Sequence, residues 1–192
     1  MKKYRIVVAV IMSIFLLLSI GCDSAQKAQT PASSSSTQQA DDKKAVQQPE
    51  KKAIAQEETI QVYFPNADGT KLIAVSKKIK TGNDKYKATV QALMEGTTDK
   101  KLTVVMPKNT KLQGVKIDKN VAYVDFSKEF IKNFTGGSTG EIMLVGSIVD
   151  TLTEYPEIKA VQILVEGKEI DSLSGHMDLS TPIQRMKDLL KN

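Results

Sequence analysis

The stretch Val121–Pro156, VAYVDFSKEFIKNFTGGSTGEIMLVGSIVDTLTEYP, decides how this chain folds. It reads as a strand, a short helical hook, a glycine-rich loop and a long helix. Val121 and Tyr123, and in the other register Val124 and Phe126, make a β-type run. Ser138, with Glu141 three residues later, has the S-x-x-E form of a capping box. Behind that cap Ile142, Val145, Ile148, Val149 and Leu152 recur at helical spacing, which predicts one buried stripe. Pro156 closes the helix, because its ring and missing N–H disfavour continuation.

On the C-terminal side of this stretch, Ala160–Val165 (AVQILV) predicts a short apolar strand ended by the turn Glu166-Gly167-Lys168. Residues 170–183 read mostly as loop, and residues 184–190 as a short terminal helix. On the N-terminal side, Leu112, Val115 and Ile117 belong to a strand that Lys119-Asn120 turns into residues 121–126 as a hairpin. Residues 97–109 are irregular, with Val104, Val105 and Met106 predicted as an extended buried piece before Pro107. Asn83 or Asp84 caps a helix with apolar residues Tyr86, Val90, Leu93 and Met94, and Gly96 serves as its C′ residue. Further back, residues 58–64 alternate, with Ile60, Val62 and Phe64 on one face. Turn chemistry at residues 65–69 and a return strand over residues 71–79 complete a first hairpin.

The resulting order is β-β-α-β-β-α-β. It implies an α+β fold, a two-layer domain over residues 58–192 with two helices on one face of a mixed sheet. About 135 residues are enough for one core.

The N-terminal residues have a different character. Lys2, Lys3 and Arg5 precede an uncharged apolar run from Ile6 to Gly21, the form of an export signal over residues 1–21. It ends in Leu18-Ser19-Ile20-Gly21-Cys22, which resembles the lipobox of bacterial lipoprotein signal peptides, with Ser19 where leucine is usual. That resemblance implies that Cys22 is lipidated and becomes the mature N-terminus. A signal anchor left uncleaved is the alternative. In both readings the domain is exported and held at the outer face of the cytoplasmic membrane, and a two-chain lipid anchors stably where one chain is marginal. Residues 22–57 are rich in Ala, Gln, Ser, Thr, Lys and Pro and predict a disordered tether. Its random-coil span is about 30–35 Å.

Composition narrows the function classes. The chain carries +5 overall, yet from Glu57 onward there are 19 basic and 18 acidic residues, a balance of +1. Such a balance lacks the basic footprint that a phosphate backbone requires, and with no tryptophan there is little for stacking single strands. Nucleic acid is therefore not an expected partner. Cys22 is the one cysteine and His176 the one histidine, which leaves no internal disulfide, no multi-cysteine metal site and a poor basis for a Ser-His-Asp triad.

The remaining candidates each have a structural reading. Asp125-Phe126-Ser127, with Glu129 nearby, resembles a catalytic pair at a strand end; the structural reading makes Ser127 the cap of the short helix, with Glu129 in its first turn. Gly136-Gly137-Ser138-Thr139-Gly140 precedes a helix N-terminus, where backbone N–H groups hold anions, but it lacks the lysine and spacing of a P-loop. His176, Asp171 and Asp178 share a polar loop that offers a weak divalent site or simply a solvated surface. Asn133-Phe134-Thr135 matches a glycosylation sequon. Met94, Met106 and Met143 read as core filler. No catalytic, cofactor or metal residue is assigned.

Several spaced motifs add up to a resemblance. The VYFP…G strand and turn, ALMEGT (Ala92–Thr97), MPKNTKL (Met106–Leu112), VAYVDFSKEF (Val121–Phe130) and IVDTLTEYPEIKAVQILVEG (Ile148–Gly167) resemble the GerMN domain family of sporulation and spore germination proteins, over about residues 61–185. This resemblance implies a compact α+β domain of the ring-building type that acts through protein contacts in the bacterial envelope. Best-known members carry two such domains, and this chain one. The function expected is that of a membrane-anchored extracytoplasmic lipoprotein, a non-catalytic interaction module in envelope, sporulation or germination complexes. Its expected partners are membrane lipid through Cys22, envelope or sporulation-complex proteins and further copies of itself. The alternative is an envelope enzyme or binding protein acting on peptidoglycan or a small ligand, for which a deep pocket with converging carboxylates is the discriminating feature.

Overall fold

The computed structural model describes residues 56–190 apart from residue 83, as one body. The leader, Cys22, Asn83 and all but the last two tether residues lie outside the described residues. The order is β1 (Glu57–Pro65), β2 (Leu72–Lys80), α1 (Lys85–Met94), β3 (Leu112–Asp118), β4 (Val121–Phe126), α2 (Glu129–Lys132), α3 (Ser138–Leu152), β5 (Ala160–Val165), β6 (Lys168–Glu169) and β7 (Ile183–Gln184), followed by a single 3-10 turn at Lys187–Leu189.

The α+β class holds, but the strands divide between two sheets. β1 and β2 form an antiparallel hairpin of their own, while β3-β4-β5-β6 form a mixed sheet in which β4 and β5 run parallel. Both helices touch both sheets, α1 through β1, β2 and β3, and α3 through β1, β2 and β5. The expectation of one sheet with the helices on one face is corrected accordingly. The physical reason lies in α3, where Met143 through Leu152 are all buried, leaving no solvent stripe. A helix buried around its circumference needs partners on more than one side.

Local chemistry explains the elements. Asp84 Oδ1 accepts from Lys87 N–H at 2.9 Å, the expected N-cap of α1, and Gly96 takes φ +79 just beyond its end. Lys119 and Asn120 both have positive φ, as the two-residue β3-β4 hairpin requires, and Glu166 and Gly167 do the same between β5 and β6. On β4 the core face is Ala122, Val124 and Phe126, all 0% exposed. The Phe126 and Phe130 rings stack at 4.5 Å and tie α2 to that strand. Phe64, Leu144, Ile148, Leu152, Ile163 and Leu179 fill the shared core, each contributing about 1.5–3 kcal/mol.

The C-terminal residues differ from the expected terminal helix. Ile183 and Gln184 pair instead with Val161 and Ala160 of β5, and only one 3-10 turn follows. Leu190 then bridges to Leu72, so the last described residues lie against the first hairpin. Burial of Leu189 and Leu190 beside Tyr63, Leu72 and Met143 outweighs the weak local preference for helix.

Candidate functional site

Glu141, expected to complete a capping box, does something else. Gly137 is the N-cap of α3, and neither it nor Ser138 makes a side-chain cap bond. The Glu141 side chain is 0% exposed and turns toward the loop after β6. Its Oε1 accepts from the N–H groups of Leu173 (2.9 Å) and Ser174 (3.4 Å). Its Oε2 accepts from Ser174 Oγ (2.7 Å) and His176 N–H (3.1 Å). Burial alone would raise this carboxyl; the bonds from Ser174 and the three amides outweigh it and hold the group below the usual carboxylate range.

The other candidates are occupied in similar ways. Asp125 Oδ1 accepts from Gly167 N–H at 2.9 Å, pinning the β5-β6 turn. Ser127 does not cap α2; its Oγ accepts from Lys111 N–H at 3.0 Å, and Glu166 Oε1 reaches Lys128 N–H at the start of the helix. Asp178 Oδ1 accepts from the N–H and hydroxyl of Ser180, and the Asp171 carbonyl accepts from Leu179 N–H. Among the described residues no three His, Cys, Asp or Glu side chains gather as metal ligands. No described helix is long and apolar enough to cross a membrane.

Two charged clusters were not read from the sequence. Arg185 pairs with Glu154, donates to Tyr63 Oη at 2.9 Å, and also reaches the Asp150 carbonyl. Beside it Asp150 is 0% exposed; one carboxylate oxygen accepts from Met186 N–H and the other has no partner among the described residues. Burial pushes this carboxyl up, partly offset by the Met186 amide and the Arg185 charge. Just beyond the C-terminus of α3, Lys85 Nζ lies 4.9 and 4.6 Å from the Tyr86 and Tyr155 ring centres and 2.8 Å from Glu157. The bonds from Lys85 and the Tyr86 hydroxyl hold the Glu157 carboxyl down to about 2. Both clusters join residues far apart in the chain, which local patterns do not register.

A surface depression of about 700 Å³ runs between residues 104–109 and 132–140. Val104, Val105, Met106, Pro107 and Phe134 supply its apolar lining, Lys108 and Lys132 its charges, and no carboxylate borders it. Asn133 Nδ2 donates to the Lys108 carbonyl at 2.7 Å and joins the two walls. Val104, expected to be buried, is 49% exposed, because the chain turns at Pro107–Thr110 and presents this residue outward.

Fold and surface define a single α+β module built around a buried helix, with an open groove between residues 104–109 and 132–140. The chain belongs to the sporulation and spore germination family (Germane), whose model matches residues 61–171. Among solved structures it is similar to a protein described as a lipoprotein from Clostridium perfringens, at 30% identity over 71% of this chain and 93% of that one, with a TM-score of 0.48. It is similar in fold to the first GerMN domain of the sporulation protein GerM from Bacillus subtilis, at 21% identity over 68% of this chain and 98% of that one, TM-score 0.56. Against the tandem GerMN domains of the same protein the identity is 22%, the TM-score 0.55, and 77% of this chain matches 51% of that one. A search of curated proteins gives no match.

Proposed function

We propose that this chain is a lipoprotein held at the extracytoplasmic face of the membrane through lipidated Cys22, with residues 22–57 as tether. Its folded domain is a non-catalytic module that binds proteins in envelope, sporulation or germination complexes. One observation carries the non-catalytic reading: Asp125, Ser127 and Glu141 are engaged by backbone amides, whereas the groove between residues 104–109 and 132–140 is bordered by apolar side chains and lysines. A general acid or base must be free to reach a substrate proton, and these groups are not. Membership of the sporulation and germination family and the lipobox-like residues ending at Cys22 support the setting.

Crosslinking in intact vegetative and sporulating cells, followed by pulldown, tests the module. Protein partners are expected; recovery of lipid and glycan alone, or turnover of peptidoglycan by the purified chain, would overturn the reading. Cys22→Ser tests the anchor: the variant is expected as unprocessed precursor or released protein. Normal processing and membrane partitioning, read by mass and fractionation, would refute lipidation.

A further inference from the structure

The groove between residues 104–109 and 132–140 carries three independent marks of a peptide site. First, Val104, which lines the groove, is one of two large hydrophobic residues that stand exposed among the described residues. Apolar groups held in water next to an apolar depression are where a partner gains most by covering them. Second, the N–H groups of Val104, Val105 and Met106 make no hydrogen bond to any described residue, although Thr103 N–H, just before them, donates to the Pro65 carbonyl. Unpaired amides at an edge are where a strand can be added, and on an extended run alternate ones face the same side. Third, the charges lining the groove are Lys108 and Lys132, and neither forms an ion pair among the described residues.

We infer that this groove binds an extended protein segment that carries both aliphatic and acidic side chains. Its aliphatic side chains cover Val104 and Phe134, its carboxylates meet Lys108 and Lys132, and its backbone carbonyls accept from free amides within residues 104–106. Phe134 is a fixed part of the floor: a Cβ at Gly136 would lie 2.7 Å from its ring, so only glycine lets the loop close over it. The inference rests on the proposed role as an interaction module and gives that module one partner chemistry.

The test uses the full-length chain in detergent and two labelled ten-residue peptides, one alternating valine with glutamate and the other valine with lysine. Anisotropy titrations are expected to favour the acidic peptide by about tenfold or more, with the preference shrinking as salt is raised. Lys108→Glu combined with Lys132→Glu should invert the preference, and Val104→Asp should weaken the acidic peptide about tenfold while leaving the melting temperature in place. Equal binding of the two peptides, no binding of either at millimolar concentration, or no effect of the variants would overturn the inference. Should protein partners still crosslink in cells in that case, the groove would fall and the proposed module would stand; loss of all protein crosslinks removes the module itself.

Discussion

Glu141→Gln gives the sharpest test of how this domain is held together. The carboxylate accepts from Leu173 and Ser174 N–H on one oxygen and from Ser174 Oγ and His176 N–H on the other. A glutamine must turn its NH2 group toward one of those pairs. It is best placed on the Ser174 Oγ side, where the hydroxyl can reverse and accept, and then only the His176 N–H is left facing a donor. One charge-assisted bond is lost, and the remaining two amides lose their charge assistance, a cost of about 2–3 kcal/mol. With a urea slope of about 1–3 kcal/mol/M, the unfolding midpoint should fall by about 1 M. Hydrogen exchange should accelerate at Leu173, Ser174 and His176 and stay slow at the start of α3. Because the folded carboxyl sits below its usual range, its contribution is complete above the ordinary glutamate value and is lost as pH falls through the lower folded value. The gap between the two proteins should therefore close on acidification. An unchanged midpoint, or faster exchange at Thr139 and Gly140 with the 172–176 loop untouched, would refute the loop-clamp reasoning in favour of a capping box.

Three other substitutions probe separate parts of the structure. At Gly146 a Cβ would lie 2.7 Å from Leu189 Cδ1 and 3.1 Å from Leu72 Cδ1, so Gly146→Ala should cost about 1–3 kcal/mol in a urea melt and loosen residues 186–190 to limited proteolysis. Glu157→Gln removes a carboxyl held down to about 2; the wild-type advantage should be complete above about pH 4.5 and disappear as pH approaches 2, measured by acid unfolding. Asp150 has its carboxyl pushed up by burial, so its ionisation opposes folding at neutral pH. Asp150→Asn should raise the urea midpoint at pH 7, and the gain should fade as pH is lowered through the folded value of Asp150.

What the sequence made legible was chemistry carried by neighbouring residues. Lys119-Asn120 and Glu166-Gly167 mark turns whose backbone angles are set by the residues themselves, and Asp84 caps the helix it precedes. The S-x-x-E pattern at Ser138–Glu141 misled because the same carboxylate finds better donors 32 to 35 positions away, and a local pattern holds no record of them. The stripe on α3 was read as one face because amphipathic spacing counts apolar residues and misses buried Ser147, Asp150 and Thr151, which are satisfied or tolerated inside. Val104 was placed inside on hydrophobicity alone, and its exposure is decided by the path of the chain through Pro107 and Asn109. The Arg185–Tyr63–Glu154 cluster spans 122 positions between Arg185 and Tyr63, beyond any periodicity.

The placement of β1 has a mechanical consequence. This strand begins at Glu57, at the N-terminal end of the domain, and ends at Pro65, whose carbonyl holds Thr103 just before the groove. Under the anchor and the groove proposed above, a pull between them is directed along the length of β1. Its backbone bonds to β2, spread over nine paired positions, share that load in shear and do not open one after another. The hairpin that looks peripheral in the topology would be the cable through which the envelope strains this protein.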